Sequence, residues 1–219
     1  MPALPIREPY ACTGCQSTPH LRDADPRTCD PGAPALGMST VRRASYVPPM
    51  TLQSPAIIAR DEGQRFHFLG NLFTAKLDGG HTDGAMTIME FLAPRGFGPP
   101  LHRHDVEDEL FYVIDGEVWF SCGDAEAVHS TGAVVWLPRG RPHTFQIRSE
   151  TARVLQLSTP AQFERFVATL GRPTESTGLP APEEIDPAHV AEVCAQFSIE
   201  VLGPPPDPAL AGVGAEAGA

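Results

Sequence analysis

A chain of 219 residues with 42% apolar side chains is long enough to bury one sizeable core, so wholesale disorder is not expected. Its formal net charge of −11 argues against nucleic acid as the main partner, because neutralising phosphates needs a basic surface. No apolar run reaches the length of a membrane span, and the N-terminus lacks the basic start and apolar stretch of a signal peptide. The expectation is a cytoplasmic protein with no membrane partner.

Prolines cluster at both ends and mark three regions. Residues 1–50 read as a Pro-rich N-terminal extension with the composition of a disordered segment, residues 51–160 as the folded core, and residues 161–219 as a helical segment and tail. The five cysteines are scattered and suggest no disulfide framework. Cys12, Cys15 and Cys29, with His20, match no compact zinc finger and fall to the extension, their function open. Met38 and Met50 leave the translation start open as well.

Within the core, "RFHFLG", "LFTAKL", "AMTIMEFLA", "ELFYVI", "EVWFSCG", "AVVWL", "HTFQIR" and "RVLQLS" are short segments rich in β-branched and aromatic residues. Gly, Asp and Pro separate them, which predicts an all-β sandwich or small barrel. Asp115-Gly116 between "ELFYVI" and "EVWFS" predicts a two-residue hairpin turn. "PAQFERFVATLG" predicts a helix capped by Thr159, opened by Pro160 and stopped by Gly171. A second helix is predicted after Asp186, with Pro187 at its first position.

The chemistry concentrates in "PPLHRHDVEDEL". His102 and His104 are one residue apart, so on an extended strand they project to one face. On residues alone this is either the start of a metal site or a charged, solvated loop. Glu109 shares a strand face with Phe111 and Val113, while Asp105, Glu107 and Asp108 are expected in a water-facing turn. Farther on, His143 opens a strand whose same face carries Phe145 and Ile147.

"GFGPPLHRHDVEDELFYVIDG" (96–116) resembles the first cupin motif, G-x5-H-x-H-x4-E-x6-G, at every specified position. "GAVVWLPRGRPHTFQI" (132–147) resembles the second, G-x5-P-x-G-x2-H-x3-N, with Ile147 in place of the final Asn. The resemblance implies a double-stranded β-helix, the cupin jelly-roll barrel, with short C-terminal helices. It further implies that His102, His104, Glu109 and His143 converge as metal ligands. Three imidazoles and one carboxylate suit one divalent transition metal (Fe, Mn, Ni, Co, Cu or Zn) and leave positions open for substrate or O2. Phe111, Val113 and Phe145, with Trp136 in the same apolar stripe, are the candidate lining of a dry pocket for an organic substrate.

"EGQRFHFLGNLFTAKLDG" (62–79), the phrase running from His102 to "VIDGEV", and "TPAQFERF" (159–166) look like the bacterial quercetin 2,3-dioxygenase-like cupins. That likeness implies a metal-dependent dioxygenase acting on a flavonol or another enolisable aromatic compound with O2, and Glu109 as the catalytic base. Two alternatives stand beside it. One is a tailoring cyclase, isomerase or oxygenase of a biosynthetic pathway; the other is a non-catalytic ligand-binding cupin. The resemblance also implies a homodimer formed through N-terminal strands, for which residues 40–60 carry enough apolar side chains.

Overall fold

The computed structural model describes residues 54–212; the Cys12, Cys15 and Cys29 cluster, the alternative starts and most of segment 40–60 lie outside them. Twelve strands are present among the described residues, with three α-helices. In chain order they are β1 (Gln64–Phe68), β2 (Asn71–Leu77), α1 (Gly79–Thr82), β3 (Thr87–Pro94), β4 (His102–His104), β5 (Asp108–Asp115) and β6 (Glu117–Cys122). There follow β7 (Ala125–Ser130), β8 (Val134–Leu137), β9 (His143–Ile147), β10 (Thr151–Thr159), α2 (Phe163–Leu170), β11 (Arg172–Pro173), α3 (Pro187–Gln196) and β12 (Ile199–Val201).

The strands form two antiparallel sheets, one in the order β11-β1-β2-β3-β10-β5-β8 and the other in the order β12-β4-β9-β6-β7. This is the all-β jelly roll with short C-terminal helices that the motifs implied. β3 and β10 alternate strictly between buried and half-buried residues, as strands with one face on a core must. β9 is buried throughout. C-terminal residues cover part of its outer side: Gln146 Nε2 donates to the Asp207 carbonyl at 2.9 Å.

Phenylalanines fill the interior. Phe91 stacks on Phe73 (5.0 Å between ring centroids) and on Phe145 (5.8 Å), and meets Phe111 edge-on. Such pairs add to the transfer free energy of burying each ring. Ile147, standing where the second motif has Asn, is fully buried in this core and pairs across strands with Val118.

The predicted hairpin at Asp115-Gly116 is not formed. β5 pairs with β10 and β8, whereas β6 pairs with β9 and β7, so Gly116 is a corner where the chain changes sheets. Its φ is +93°, and a Cβ there would lie 2.6 Å from both the Thr151 carbonyl oxygen and Ser149 Oγ. Two-residue hairpins sit instead at Leu69-Gly70, where both φ values are positive, and at Gly123-Asp124. Thr159 also differs from expectation: it is the last residue of β10, paired with Asp108, and the N-cap position of α2 falls to Gln162 instead. α2 spans Phe163–Leu170, so it starts later than the predicted opening at Pro160, and Gly171 stops it as predicted. α3 follows the prediction in full, with the Asp186 side chain accepting from the Ala188 N–H.

Residues beyond 160 also supply strands. β12 pairs with the histidine strand β4, setting Ile199 opposite His104 and Val201 opposite His102. Cys122 and Cys194 are unpaired thiols. Among the described residues, no helix is long and apolar enough to cross a membrane.

Candidate metal centre

Three strands of different sheets bring the four motif side chains together. His102 and His104 come from β4, His143 from the neighbouring β9 in register with His102, and Glu109 from β5 across the barrel. Gly98 lets the segment before β4 run close to β9, since a Cβ there would stand 2.2 Å from the Phe145 carbonyl oxygen. One donor atom from each of His102, His104, Glu109 and His143 lies within 4.8 Å of the others. The imidazole planes of His104 and His143 are nearly parallel at 5.5 Å, and His102 crosses both at a steep angle.

Each imidazole is oriented by a partner at Nδ1. His102 Nδ1 lies 2.8 Å from the Pro100 carbonyl, and His143 Nδ1 lies 2.9 Å from that of Arg141. His104 Nδ1 lies 3.2 Å from Glu107 Oε2. Anchoring Nδ1 turns the opposite nitrogen inward, the arrangement that metal-binding histidines require. Glu109 Oε2 faces His143 Nε2 at 3.1 Å and His104 Nε2 at 3.6 Å. Its other oxygen, Oε1, accepts from Gln156 Nε2 at 2.6 Å.

The electrostatics favour the metal-binding form at His102 and Glu109 and oppose it at His104. Burial, together with the neighbouring His143 and His104, pushes His102 down to about 3. For His104 burial also disfavours the charged form, but Glu109 and the hydrogen bond to Glu107 outweigh it and raise the pKa. Burial favours a neutral Glu109; the His104 charge and the hydrogen bond with His143 nevertheless hold its carboxyl at about 2. An ionised carboxylate and a neutral imidazole are the forms that bind metal. His104 Nε2 is buried without a hydrogen-bond partner, although buried polar atoms are rarely left so. The donor set and this orphaned nitrogen fit a cation at the centre of the cluster.

The remaining sequence candidates divide. Phe111, Val113 and Phe145 are buried, the first and last occupying the next inward positions after Glu109 and His143, with rings 5.6 Å apart. Trp136 does not join them. It lies on the outer face of β8 at 50% exposure, and Leu137 takes the inward position. Asp105 is exposed and paired with Arg103, as a solvated turn residue should be. Asp108 accepts from the Arg139 N–H and guanidinium, tying the Pro138–Gly140 turn to the start of β5. Arg139 accordingly draws its pKa down.

Glu107 overturns the water-facing expectation: it is 1% exposed and hydrogen-bonded to a residue of the cluster. Its partner Gln162 lies 55 residues on, just before α2, and spacing within the motif does not reveal it. Gln156 was also missed, yet it carried a signal. In "ARVLQLS" it falls in phase with Ala152 and Val154, so a polar side chain at an inward position of an alternating strand was visible. His67, His81 and His129 lie outside the cluster.

Residues 88–158 match the family model described as Cupin domain. Over these residues the chain carries a cupin domain, in keeping with its jelly-roll fold. Over 150 residues it is 24% identical to quercetin 2,3-dioxygenase of Bacillus subtilis (strain 168), covering 68% of this chain and 44% of that protein. The chain therefore spans less than half the length of this curated relative. Similar solved structures include KdgF from Halomonas sp. (TM-score 0.46, 14% identity, 51% of this chain and 99% of that one). The polyketide cyclase RemF from Streptomyces resistomycificus is another (TM-score 0.42, 20% identity, 48% and 80%).

Proposed function

We propose that the protein is a metal-dependent dioxygenase of the quercetinase type, acting with O2 on a flavonol or another enolisable aromatic compound. The observation that carries this reading is the buried cluster of three histidines and one glutamate above a phenylalanine-rich interior. The sequence similarity to a quercetin 2,3-dioxygenase supports it. His102, His104, Glu109 and His143 would hold one divalent transition metal. When bound, the metal would supply a Lewis-acidic centre with positions open to substrate and O2.

The chain's own residues define the rest of the chemistry. Glu109 Oε2 is the proton acceptor for the enol hydroxyl of a substrate, because Gln156 already engages its Oε1. His143 and His104 flank Oε2 and stabilise its charge until that proton arrives. Phe111, Val113 and Phe145 keep water from the reacting carbons and offer an apolar wall to an aromatic ring.

The test is aerobic addition of quercetin to protein reconstituted separately with Fe, Mn, Co, Ni and Cu. The reading expects loss of the flavonol absorbance band with equimolar O2 uptake, abolished in Glu109→Gln. No turnover with any of the five metals overturns the flavonol version.

Self-association belongs to the same proposal. On the outer face of the larger sheet, Trp136, Leu110, Leu157 and Ile88 are consecutive cross-strand partners. Val134, Tyr112 and Leu155 form a second such row. Trp136, Val134 and Tyr112 are 50%, 61% and 40% exposed. A contiguous apolar face of this kind favours burial against a second copy of the chain.

A further inference from the structure

Glu107 has no place in the ligand set, yet it is among the most deeply buried charged side chains described, at 1% exposure. An isolated buried carboxylate is strongly disfavoured, and here only Oε2 has partners, Oε1 being buried without a hydrogen bond. Oε2 lies 3.2 Å from His104 Nδ1 and accepts from Gln162 Nε2 at 3.0 Å. The same amide nitrogen donates its second hydrogen to the Phe197 carbonyl at 2.9 Å. Gln162 precedes α2 and Phe197 closes α3, so the residue that touches the carboxylate is itself held between the start of one C-terminal helix and the end of the other. Of the three cluster histidines, His104 alone has a carboxylate at Nδ1; the other two have backbone carbonyls.

We infer that Glu107 is a positioning residue: it accepts the Nδ1–H of His104, fixes that tautomer and aims Nε2 at the metal, with Gln162 holding it in place. The inference rests on the metal-centre reading above. A carboxylate behind a ligating imidazole orients the ring and strengthens it as a donor, and losing such a partner weakens metal binding about 10–100-fold. Gln162 extends the device beyond the barrel. The C-terminal helices thereby contribute to the centre without supplying a ligand.

The test titrates metal-free protein with Co(II), reading its visible d–d bands and the dissociation constant from chelator competition. Glu107→Leu is expected to bind about 10–100-fold more weakly with altered bands. Glu107→Gln retains a carbonyl acceptor and should restore most of the affinity and the wild-type spectrum. Gln162→Leu should fall between the two. Wild-type affinity and bands in Glu107→Leu overturn the inference while leaving the metal centre intact. A wild-type protein that takes up no Co(II) overturns the metal centre, and the role of Glu107 with it. If Glu107→Leu does not fold, the Zn(II)-loaded wild type decides by long-range 1H–15N correlation of its histidines. A His104 Nδ1–H proton shifted downfield of those of His102 and His143, as a carboxylate acceptor requires, supports the role, and one with no such shift overturns it.

Discussion

Gln156 donates its side-chain amide to Glu109 Oε1 at 2.6 Å, and both groups are buried between β10 and β5. The contact divides the carboxylate's work, occupying one oxygen and leaving the other to the histidines. Gln156→Leu should therefore free Oε1, loosen the carboxylate and weaken metal binding by about 10-fold or more. Its fold should survive, because leucine approximates the volume of glutamine. Metal titration beside a thermal melt checks this, and undiminished affinity in Gln156→Leu would contradict it.

Acid should destabilise the metal-free protein in two stages. The unfolded chain protonates His102 near its ordinary 6.5, whereas the folded protein holds it neutral down to about 3. Stability from His102 is thus full above 6.5 and lost as pH falls toward 3. His104 has the opposite sign: its raised pKa stabilises the fold at low pH, a contribution lost as pH rises through the folded value. Their windows adjoin at 6.5: the His104 contribution changes only above it and the His102 contribution only below it. From 4.5 downward Glu109 joins His102, since the folded carboxyl stays ionised to about 2 while the unfolded one takes a proton. Thermal melts between pH 3 and 7 should show the steepest loss below 4.5, and His102→Gln should make it shallower.

Gly116 should tolerate no side chain. Alanine would combine a positive φ with contact against the Thr151 carbonyl, a rigid backbone atom. Gly116→Ala is expected to cost at least about 2 kcal/mol, lowering the melting temperature by roughly 4–8 °C. Gly132 also has a positive φ, but a Cβ there meets nothing within 4 Å, so Gly132→Ala should be milder. Equal melting temperatures for the two variants would contradict the reading of Gly116 as a steric corner.

The outer apolar face makes its own prediction. Trp136→Glu, which places a charge at the exposed β8 edge of that face, should convert a dimer into a monomer by light scattering and leave metal content unchanged. A wild-type chain that is monomeric at all accessible concentrations removes the self-association proposal.

Much of this architecture was legible because a few residue types have few substitutes. Four metal-type side chains at fixed spacing, and glycines at positive-φ turns, pointed to the cupin barrel before any coordinates. What was not legible depended on distant neighbours or on signals with two solutions. Asp-Gly suits both a hairpin and a corner between sheets, and only the pairing of β5 and β6 with different partners decides between them. "AVVWL" is apolar throughout, so alternation could not show that Trp136 faces outward. Glu107 looked solvated because its partner Gln162, and Phe197 that holds Gln162, come long after it in sequence.

Metal stoichiometry after chelation and reloading tests the central claim most directly. Elemental analysis of the wild type should give one divalent transition metal per chain, and His143→Ala should retain only a small fraction of it. A wild-type chain that stays metal-free after incubation with each candidate ion, or a His143→Ala variant that loads as fully as wild type, would contradict the account.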